Sequence, residues 1–180
     1  MGPPLPQAVP TTVYSLTTMK TLYLLRHAKS SWDDPSLKDF DRPLNKRGLK
    51  AAPLIGSYLR KQKLKPELIV SSPAARAKST TSLVSEAAGL TGTLKFDEGI
   101  YEASPVRLFE VVAGLDDKIE TAMMVGHNPG FEELLAALTG ETRRMATAAL
   151  ACIELNVDKW SEVKANSGTL KWLVKPKDLS

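Results

Sequence analysis

The chain has 180 residues and a net charge of +4, with 43% hydrophobic and 24% charged residues. This length suits one domain with a sizeable core, and the composition is that of a soluble globular protein, which excludes a disordered chain or a membrane protein. No apolar run approaches the roughly 20 residues that span a bilayer. The charge excess suits an anionic substrate but is too small and too dispersed along the sequence to indicate nucleic-acid binding.

Residues 1–19 differ in composition from the rest of the chain. They contain four prolines and no charged side chain. Without a basic region followed by a continuous apolar run, the segment does not resemble a secretory signal, and we predict a flexible N-terminal extension followed by a single domain over residues 20–180. Cys152 is the only cysteine, which excludes an internal disulfide and favours a reducing compartment, so we expect a cytoplasmic protein.

Strands and helices alternate in the rest of the chain. The predicted elements are a strand over 22–25, a helix from about 45, a strand over 68–70, a helix over 73–88, a strand over 94–96, a helix from 105, a strand over 121–125, a helix from 129 to 139, and strands over 148–155 and 168–174. This alternation predicts an α/β fold, a three-layer α/β/α sandwich with a mostly parallel sheet of about five to six strands.

Three residues lead to predictions about where the helices begin. Pro53 lies inside the first helix and predicts either a kink or a later start. Ser72 and Asn128 each precede a proline, and we expect them to cap the second and the fourth helix, with the proline at the first helical position.

Three of the predicted strands end in the same way, with polar residues followed by the start of a helix or a loop. The first ends in Arg26-His27, the second precedes Arg76, and the third ends in Gly126-His127. In an open α/β sheet, chemistry takes place just outside the carboxyl ends of the strands, where helix N-termini favour anions. Two guanidiniums and two imidazoles at these ends predict a pocket for a doubly charged phosphoryl group.

The two histidines, the only ones in the chain, have two other interpretations. A histidine at a strand end is often structural, but the equivalent placement of both, beside equivalently placed arginines, favours a shared anion site. A metal site is disfavoured, because the histidines lie 100 residues apart in the sequence and adjoin arginines that repel cations. We therefore expect no metal and no cofactor.

The residues at these strand ends resemble the motifs of the histidine phosphatase superfamily, which has the phosphoglycerate mutase-like fold. Residues 24–32 are similar to its RHG-type signature, with Ala28 where Gly is usual. Residues 71–80 resemble its second arginine block, and residues 125–128 its second histidine block. The Arg-His-Ala-Lys-Ser form of the first motif, the Asp-Arg-Pro-Leu segment over 41–44 and the small size are most similar to the SixA-type phosphohistidine phosphatases.

The resemblance implies roles for particular residues. His27 would be the nucleophile and form a phosphohistidine intermediate, while Arg26, Arg76 and His127 would hold the phosphoryl oxygens, with Ser30 as a further substrate-binding candidate. The physical chemistry agrees, because nearby positive charge keeps an imidazole neutral and only the neutral ring has a lone pair to attack phosphorus. Fixed arginines supply the positioning and electrostatics of phosphoryl transfer without a metal.

The general acid is harder to assign. Phosphate esters leave as alkoxides and need a proton, and Glu102 matches the Glu that larger relatives use after the middle strand. Glu102 fits equally well as a surface carboxylate just before a helix, and Asp33 and Asp41 are further candidates. A phosphoramidate such as phosphohistidine leaves more readily once it is protonated on nitrogen, and it does not require a strong acid from the enzyme.

These observations predict a metal-independent phosphatase that uses a histidine nucleophile and prefers phosphohistidine on a protein, because short connections leave little sequence for a cap over the pocket. The alternatives are a small-molecule phosphomonoesterase acting on a phosphorylated metabolite and a phosphate-binding adaptor without turnover. A mutase would need a larger insertion to enclose its substrate. We expect a monomer that binds neither nucleic acid nor membrane.

Overall fold

The computed structural model describes residues 18–180, so the extension predicted for residues 1–19 lies outside the described residues except for its last two positions. The strands in this part of the chain are β1 (Lys20–Arg26), β2 (Leu68–Ser71), β3 (Thr93–Phe96), β4 (Thr121–Gly126), β5 (Leu150–Leu155) and β6 (Gly168–Val174). The α-helices are α1 (Lys46–Lys61), α2 (Ala75–Ala88), α3 (Pro105–Ala113) and α4 (Gly130–Thr139). No helix among residues 18–180 is long and apolar enough to cross a membrane.

The strands form one sheet in the order β3-β2-β4-β1-β5-β6. Strands β3, β2, β4 and β1 are mutually parallel, whereas β5 is antiparallel to both β1 and β6. The mostly parallel sheet predicted from the alternation of elements is therefore confirmed. Strand β1 occupies a central position, and its carboxyl end lies beside the carboxyl end of β4 and the start of β5.

Strand β1 shows why the fold has three layers. Successive side chains of a strand point to opposite faces of the sheet, and here both faces are buried. Leu22 and Leu24 belong to one hydrophobic cluster together with residues of α3 and α4, whereas Tyr23 and Leu25 belong to a second cluster with residues of α1 and α2. Helices thus cover both faces, which confirms the predicted α/β/α sandwich.

Two helix starts differ from the prediction. Helix α2 begins at Ala75, two residues after the predicted start, because Ala74 has a ψ of 142°, which is not helical. The Ser72 hydroxyl still accepts a hydrogen bond from the Ala74 N–H, at 3.2 Å, in the turn that precedes the helix. Helix α4 begins at Gly130, and Asn128 does not cap it. The Asn128 amide instead donates to the Glu132 carboxylate and to the Met145 carbonyl, at 2.8 and 3.0 Å.

Two other boundaries also depend on local conformation. Helix α1 runs through Pro53 from Lys46 onward, so the expectation of a later start is wrong; the Asn45 side chain caps the helix by accepting a hydrogen bond from the Gly48 N–H. Strand β5 begins two residues later than predicted. Ala148 adopts a φ of +59°, a left-handed conformation that an extended strand cannot contain.

We expect Leu24→Ala to destabilise the protein strongly, because Leu24 is fully buried in the central strand. Removing such a side chain leaves a cavity and costs about 2–5 kcal/mol of unfolding free energy. Urea denaturation followed by circular dichroism measures this loss. Leu94→Ala, in edge strand β3 where Leu94 is 45% exposed, is the matched control, and a similar loss in both variants would contradict the prediction.

Candidate active site

Three adjacent strands of the sheet carry the candidate residues at their carboxyl ends. Arg26 is the last residue of β1 and is paired with Gly126, the last residue of β4. The His27 N–H continues this pairing by donating to the Gly126 carbonyl at 2.9 Å, and the Ser72 N–H donates to the Val125 carbonyl at the same distance. Parallel pairing therefore brings together chain segments that are 100 residues apart in sequence.

The structure brings His27, His127 and Arg76 into one buried cluster. The centroids of the two imidazole rings are 5.1 Å apart, and the Arg76 Nε atom lies 3.4 Å from His27 Nε2. Each of the three residues is only 7–8% exposed. Arg26 is half-buried beside them, and its Nη1 atom donates to the Met145 carbonyl at 2.9 Å.

The backbone orients the His27 ring. His27 Nδ1 lies 2.7 Å from the carbonyl oxygen of Ala28. Since a carbonyl oxygen only accepts hydrogen bonds, the proton of the neutral ring is on Nδ1, and the lone pair is on Nε2. This lone pair is on the side of the ring that faces Arg76.

A threonine joins the two segments that carry His27 and Arg76. The Thr80 hydroxyl donates to the Arg76 carbonyl at 2.7 Å and accepts from the Ala28 N–H at 2.9 Å. Thr80 is completely buried. The loop after β1 and the first turn of α2 are thus held together next to the reacting groups.

Asp39 is the carboxylate that the structure places at the cluster, and sequence reasoning missed it. Its side chain accepts hydrogen bonds from Arg76 at 3.0 Å, from the Tyr101 hydroxyl at 2.7 Å and from Arg42 at 2.9 Å. The Asp39 carbonyl accepts a second bond from Arg76 at 2.7 Å. The sequence feature that could have pointed to Asp39 is its spacing, three residues before Arg42, which puts both residues on one side of a short 3-10 turn.

Arg42, in the segment over residues 41–44, fixes the conformation of the loop after β1. Its guanidinium is buried, donates to the Ser31 carbonyl at 3.1 Å and to the Ser30 hydroxyl, and stacks against the Trp32 ring, whose centroid lies 3.3 Å from Arg42 Cζ. The loop after β1 is therefore folded around this cation. Ser30 is held within the loop by Arg42.

The general-acid candidates do not join the cluster. Glu102 is exposed and has a φ of +50°, and Asp33 and Asp41 are exposed. Within residues 18–180, no hydrogen bond links the side chain of Glu102 or of Ser30 to either histidine. The roles of Glu102 and Ser30 remain predictions.

Unpartnered polar atoms are concentrated at this site. Among residues 18–180, three buried side-chain nitrogen or oxygen atoms have no hydrogen-bond partner: Arg26 Nε, His127 Nδ1 and Asn128 Oδ1. Buried polar groups are ordinarily satisfied, and an exception calls for an explanation. Two of the three belong to the residues predicted to hold a phosphoryl group. The other ring nitrogen of His127 lies 2.7 Å from the Ser72 hydroxyl.

Comparisons with known proteins agree with this geometry. A model of the histidine phosphatase superfamily (branch 1) matches residues 22–108, which contain His27 and Arg76. An uncharacterized chloroplastic protein of Arabidopsis thaliana is 34% identical over 167 residues, which make up 88% of this chain and 77% of that protein. The chain belongs to the histidine phosphatase superfamily.

Two SixA proteins are also similar to this histidine phosphatase. The phosphohistidine phosphatase SixA of Escherichia coli is 26% identical, over 88% of this chain and 95% of its own length. A SixA structure from Agrobacterium tumefaciens has a TM-score of 0.76 and 29% identity, covering 87% of this chain and 98% of that one. The predicted family and fold are confirmed, and the protein is a phosphatase.

The environment of the histidines in this phosphatase disfavours their charged forms. Burial lowers the pKa of His27 to about 3, and the positive charges of its neighbours Arg76 and Arg26 act in the same direction, while the hydrogen bond to Ala28 opposes them. Burial and Arg76 likewise lower the pKa of His127 to about 4, and the Asp39 carboxylate opposes this shift. Both rings are therefore neutral at neutral pH.

These pKa values make the folding stability depend on pH. In the unfolded chain an imidazole has a pKa of about 6.5. Below that pH the unfolded chain binds protons that the folded protein does not, so the unfolding free energy decreases as the pH falls from about 6.5 toward the folded pKa values. We expect the wild type to lose more stability between pH 7.5 and pH 4.5 than the double variant His27→Gln/His127→Gln, in urea denaturation.

The double variant removes every imidazole from the chain, because the sequence has two histidines. The carboxylates are the same in both proteins, so the difference between the two pH dependences reports the histidines alone. Equal losses in the wild type and the double variant would contradict the lowered pKa values. The two single variants divide the effect between the rings.

Proposed function

We propose that this phosphatase hydrolyses phosphohistidine on a protein, with His27 as the nucleophile. His27 Nε2 attacks phosphorus, the P–N bond of the substrate breaks, and the departing imidazole keeps the proton on its nitrogen. Water then attacks phosphorus in the phosphohistidine intermediate, which releases inorganic phosphate and restores His27. Arg26, Arg76 and His127 contact the phosphoryl oxygens during both steps.

The observation that carries this proposal is the state of the His27 ring. It is neutral, its proton is on Nδ1, and its Nε2 lone pair lies 3.4 Å from a guanidinium nitrogen. A nucleophile beside a cationic anion-binding group is the arrangement that phosphoryl transfer requires. The unpartnered Arg26 Nε and His127 Nδ1 atoms support a polyanionic ligand at the same place.

The protonation state of the Asp39 carboxylate affects which substrate the site favours. The hydrogen bond from Tyr101, together with those from Arg76 and Arg42, lowers the pKa of Asp39 to about 2, so this group is ionised at neutral pH and has no proton to donate. An alkoxide leaving group requires such a donor, whereas a phosphohistidine that is protonated on nitrogen does not. This difference favours the phosphoramidate substrate, and Glu102 remains our candidate acid for esters.

We also infer a cytoplasmic protein that acts as a monomer without metal or cofactor. Cys152 is buried in β5, and burial raises its pKa to about 11, so its thiol stays protonated. The Arabidopsis relative is chloroplastic, and cell fractionation with antibodies against this protein distinguishes the two compartments.

Among residues 18–180, no group of three or more His, Cys, Asp and Glu side chains is placed to hold a metal ion.

A turnover screen of the purified protein tests the proposed function. We expect the highest kcat/KM for phosphohistidine peptides, lower values for aryl phosphates and sugar phosphates, and no loss of activity with a chelator present. Preference for sugar phosphates would make the protein a small-molecule phosphomonoesterase. Phosphate binding without turnover of any substrate would make it an adaptor.

The variant His27→Ala is the control for this screen. It removes the nucleophile, so turnover and the phosphorylated enzyme intermediate are both expected to disappear. Acid-labile, base-stable phosphate on the wild-type protein identifies phosphohistidine in a rapid-quench experiment. Turnover that survives in His27→Ala would contradict the assignment of the nucleophile.

Arg76→Ala is expected to lower kcat/KM by about 10²–10³, in line with the loss of other preorganised donors to a transition state. Arg76 is buried and paired with Asp39, so thermal denaturation first establishes that the variant is folded. Arg76→Lys keeps the charge without the planar fork and should lose less. Arg60→Ala, at the exposed end of α1, is the matched control and should retain full activity.

A further inference from the structure

A cavity of about 700 Å³ lies beside the histidine pair, and Arg26 belongs to its wall. Its other walls are the first turns of α1, the loop over 144–147 and the end of the chain over 175–180. Arg26 thus belongs to the wall of this cavity and is also the chain neighbour of His27, the proposed nucleophile. A group bound in the cavity would be attached to the part of the substrate that remains after the phosphoryl group has left.

The cavity concentrates positive charge. Seven basic side chains line it, against a single acidic side chain, Glu132; the seven are Arg26, Lys29, Arg47, Lys50, Arg144, Lys175 and Lys177. The whole chain has an excess of only four positive charges. The excess charge of the protein is therefore located here, although the residues that supply it are spread from position 26 to position 177.

These cations have no counter-ions of their own. Among residues 18–180, none of the seven forms a salt bridge. The Glu132 carboxylate accepts hydrogen bonds from the Asn128 amide and from the Met145 N–H, both at 2.8 Å, so it holds the loop at the wall. Like charges that face one cavity repel one another, and an anionic ligand relieves that repulsion.

The distribution of the cations indicates the kind of ligand. Five of them are exposed and form the rim of the cavity, namely Lys29, Arg47, Lys50, Arg144 and Lys177, and the lining also includes apolar residues such as Leu54 and Met145. Exposed, flexible cations act over about 8–10 Å, the Debye length at physiological ionic strength. Such a rim attracts a charged surface that arrives from solvent, whereas a small buried anion is held by fixed, closely packed donors.

We propose that this cavity receives acidic side chains that flank the phosphohistidine of a protein substrate. The inference rests on the proposed function, and it adds a chemical criterion by which substrates are selected. The cavity touches the non-transferred part of the substrate, so it contributes to binding in the ground state and in the transition state alike. Its effect therefore falls on KM and leaves kcat unchanged.

The experiment compares three phosphohistidine peptides of equal length, whose flanking residues are acidic, alanine or basic. For the wild type we expect kcat/KM to decrease in that order, with the preference reduced at high salt. The double variant Lys50→Glu/Arg144→Glu should lower kcat/KM for the acidic peptide about tenfold, because it reverses two exposed charges at the cavity. Its kcat, and its turnover of an aryl phosphate, should stay at the wild-type value.

Lys118→Glu/Lys164→Glu is the matched control, because it makes the same change of charge at exposed positions near the starts of β4 and β6, at the opposite edge of the sheet. It should leave the preference for acidic peptides intact. Equal kcat/KM for the three peptides in the wild type would overturn this inference and leave the proposed function standing. Absence of turnover with all three peptides would instead overturn the proposed function.

A further arm compares fructose 1,6-bisphosphate with fructose 6-phosphate as substrates. A preference for the bisphosphate that Lys50→Glu/Arg144→Glu abolishes, without any preference among the peptides, would show that the cavity binds a small polyanion. That result would also overturn the inference.

Discussion

A guanidinium and an imidazole are buried side by side in this protein, and burial together with the neighbouring positive charge keeps the imidazole neutral. The pair of Arg76 and His27, with nitrogen atoms 3.4 Å apart, would be strongly repulsive if both groups were charged in an environment from which water is excluded. Because arginine does not lose its proton under ordinary conditions, the histidine must. The lone pair of His27 therefore lies beside a cationic group that favours an anion, as the proposed function requires.

This contact depends on the fold in a simple way. Parallel strands end at one edge of the sheet, and the order β2-β4-β1 places three of these ends next to each other. The residues that follow them are close together because the strands are paired, whatever their separation in the sequence. The Asp39 carboxylate adds a counter-charge that holds Arg76 from the loop after β1, so that the arginine is oriented before any substrate arrives.

Most of the fold could be predicted from the periodic pattern of apolar residues. Strand β1 has buried residues on both faces, and its apolar run of Leu and Tyr made it recognisable without other information. The sheet edge that carries the histidines followed from the alternation of elements and from the rule that chemistry occurs at the carboxyl ends of strands. Helix starts were harder to predict. The non-helical backbone of Ala74 delays α2 although Ser72 accepts a hydrogen bond from its N–H, and the Asn128 amide donates to Glu132 and Met145 and does not cap α4.

The parts of the site that could not be predicted are those that depend on loops. Asp39 is one of several aspartates in a polar segment, and its spacing from Arg42 is a weak signal that does not show which side chains the loop brings to the histidines. The basic cavity is an extreme case, because its seven cations come from four separate parts of the chain, so their density in space has no counterpart in the sequence. The motifs indicate where phosphorus reacts, while the surrounding surface emerges only from the tertiary structure.

Thr80 has a consequence for how this enzyme can vary. Its hydroxyl joins the segment after His27 to the first turn of α2, which bears Arg76, so the two segments are expected to move together and to keep the spacing of His27 and Arg76. Among residues 18–180, the exposed lysines and arginines of the cavity form no salt bridge that holds them in this way. If the two proposals hold, replacement of these cations during evolution would alter substrate recognition and leave the histidine pair as it was, so recognition and chemistry would diversify at different rates.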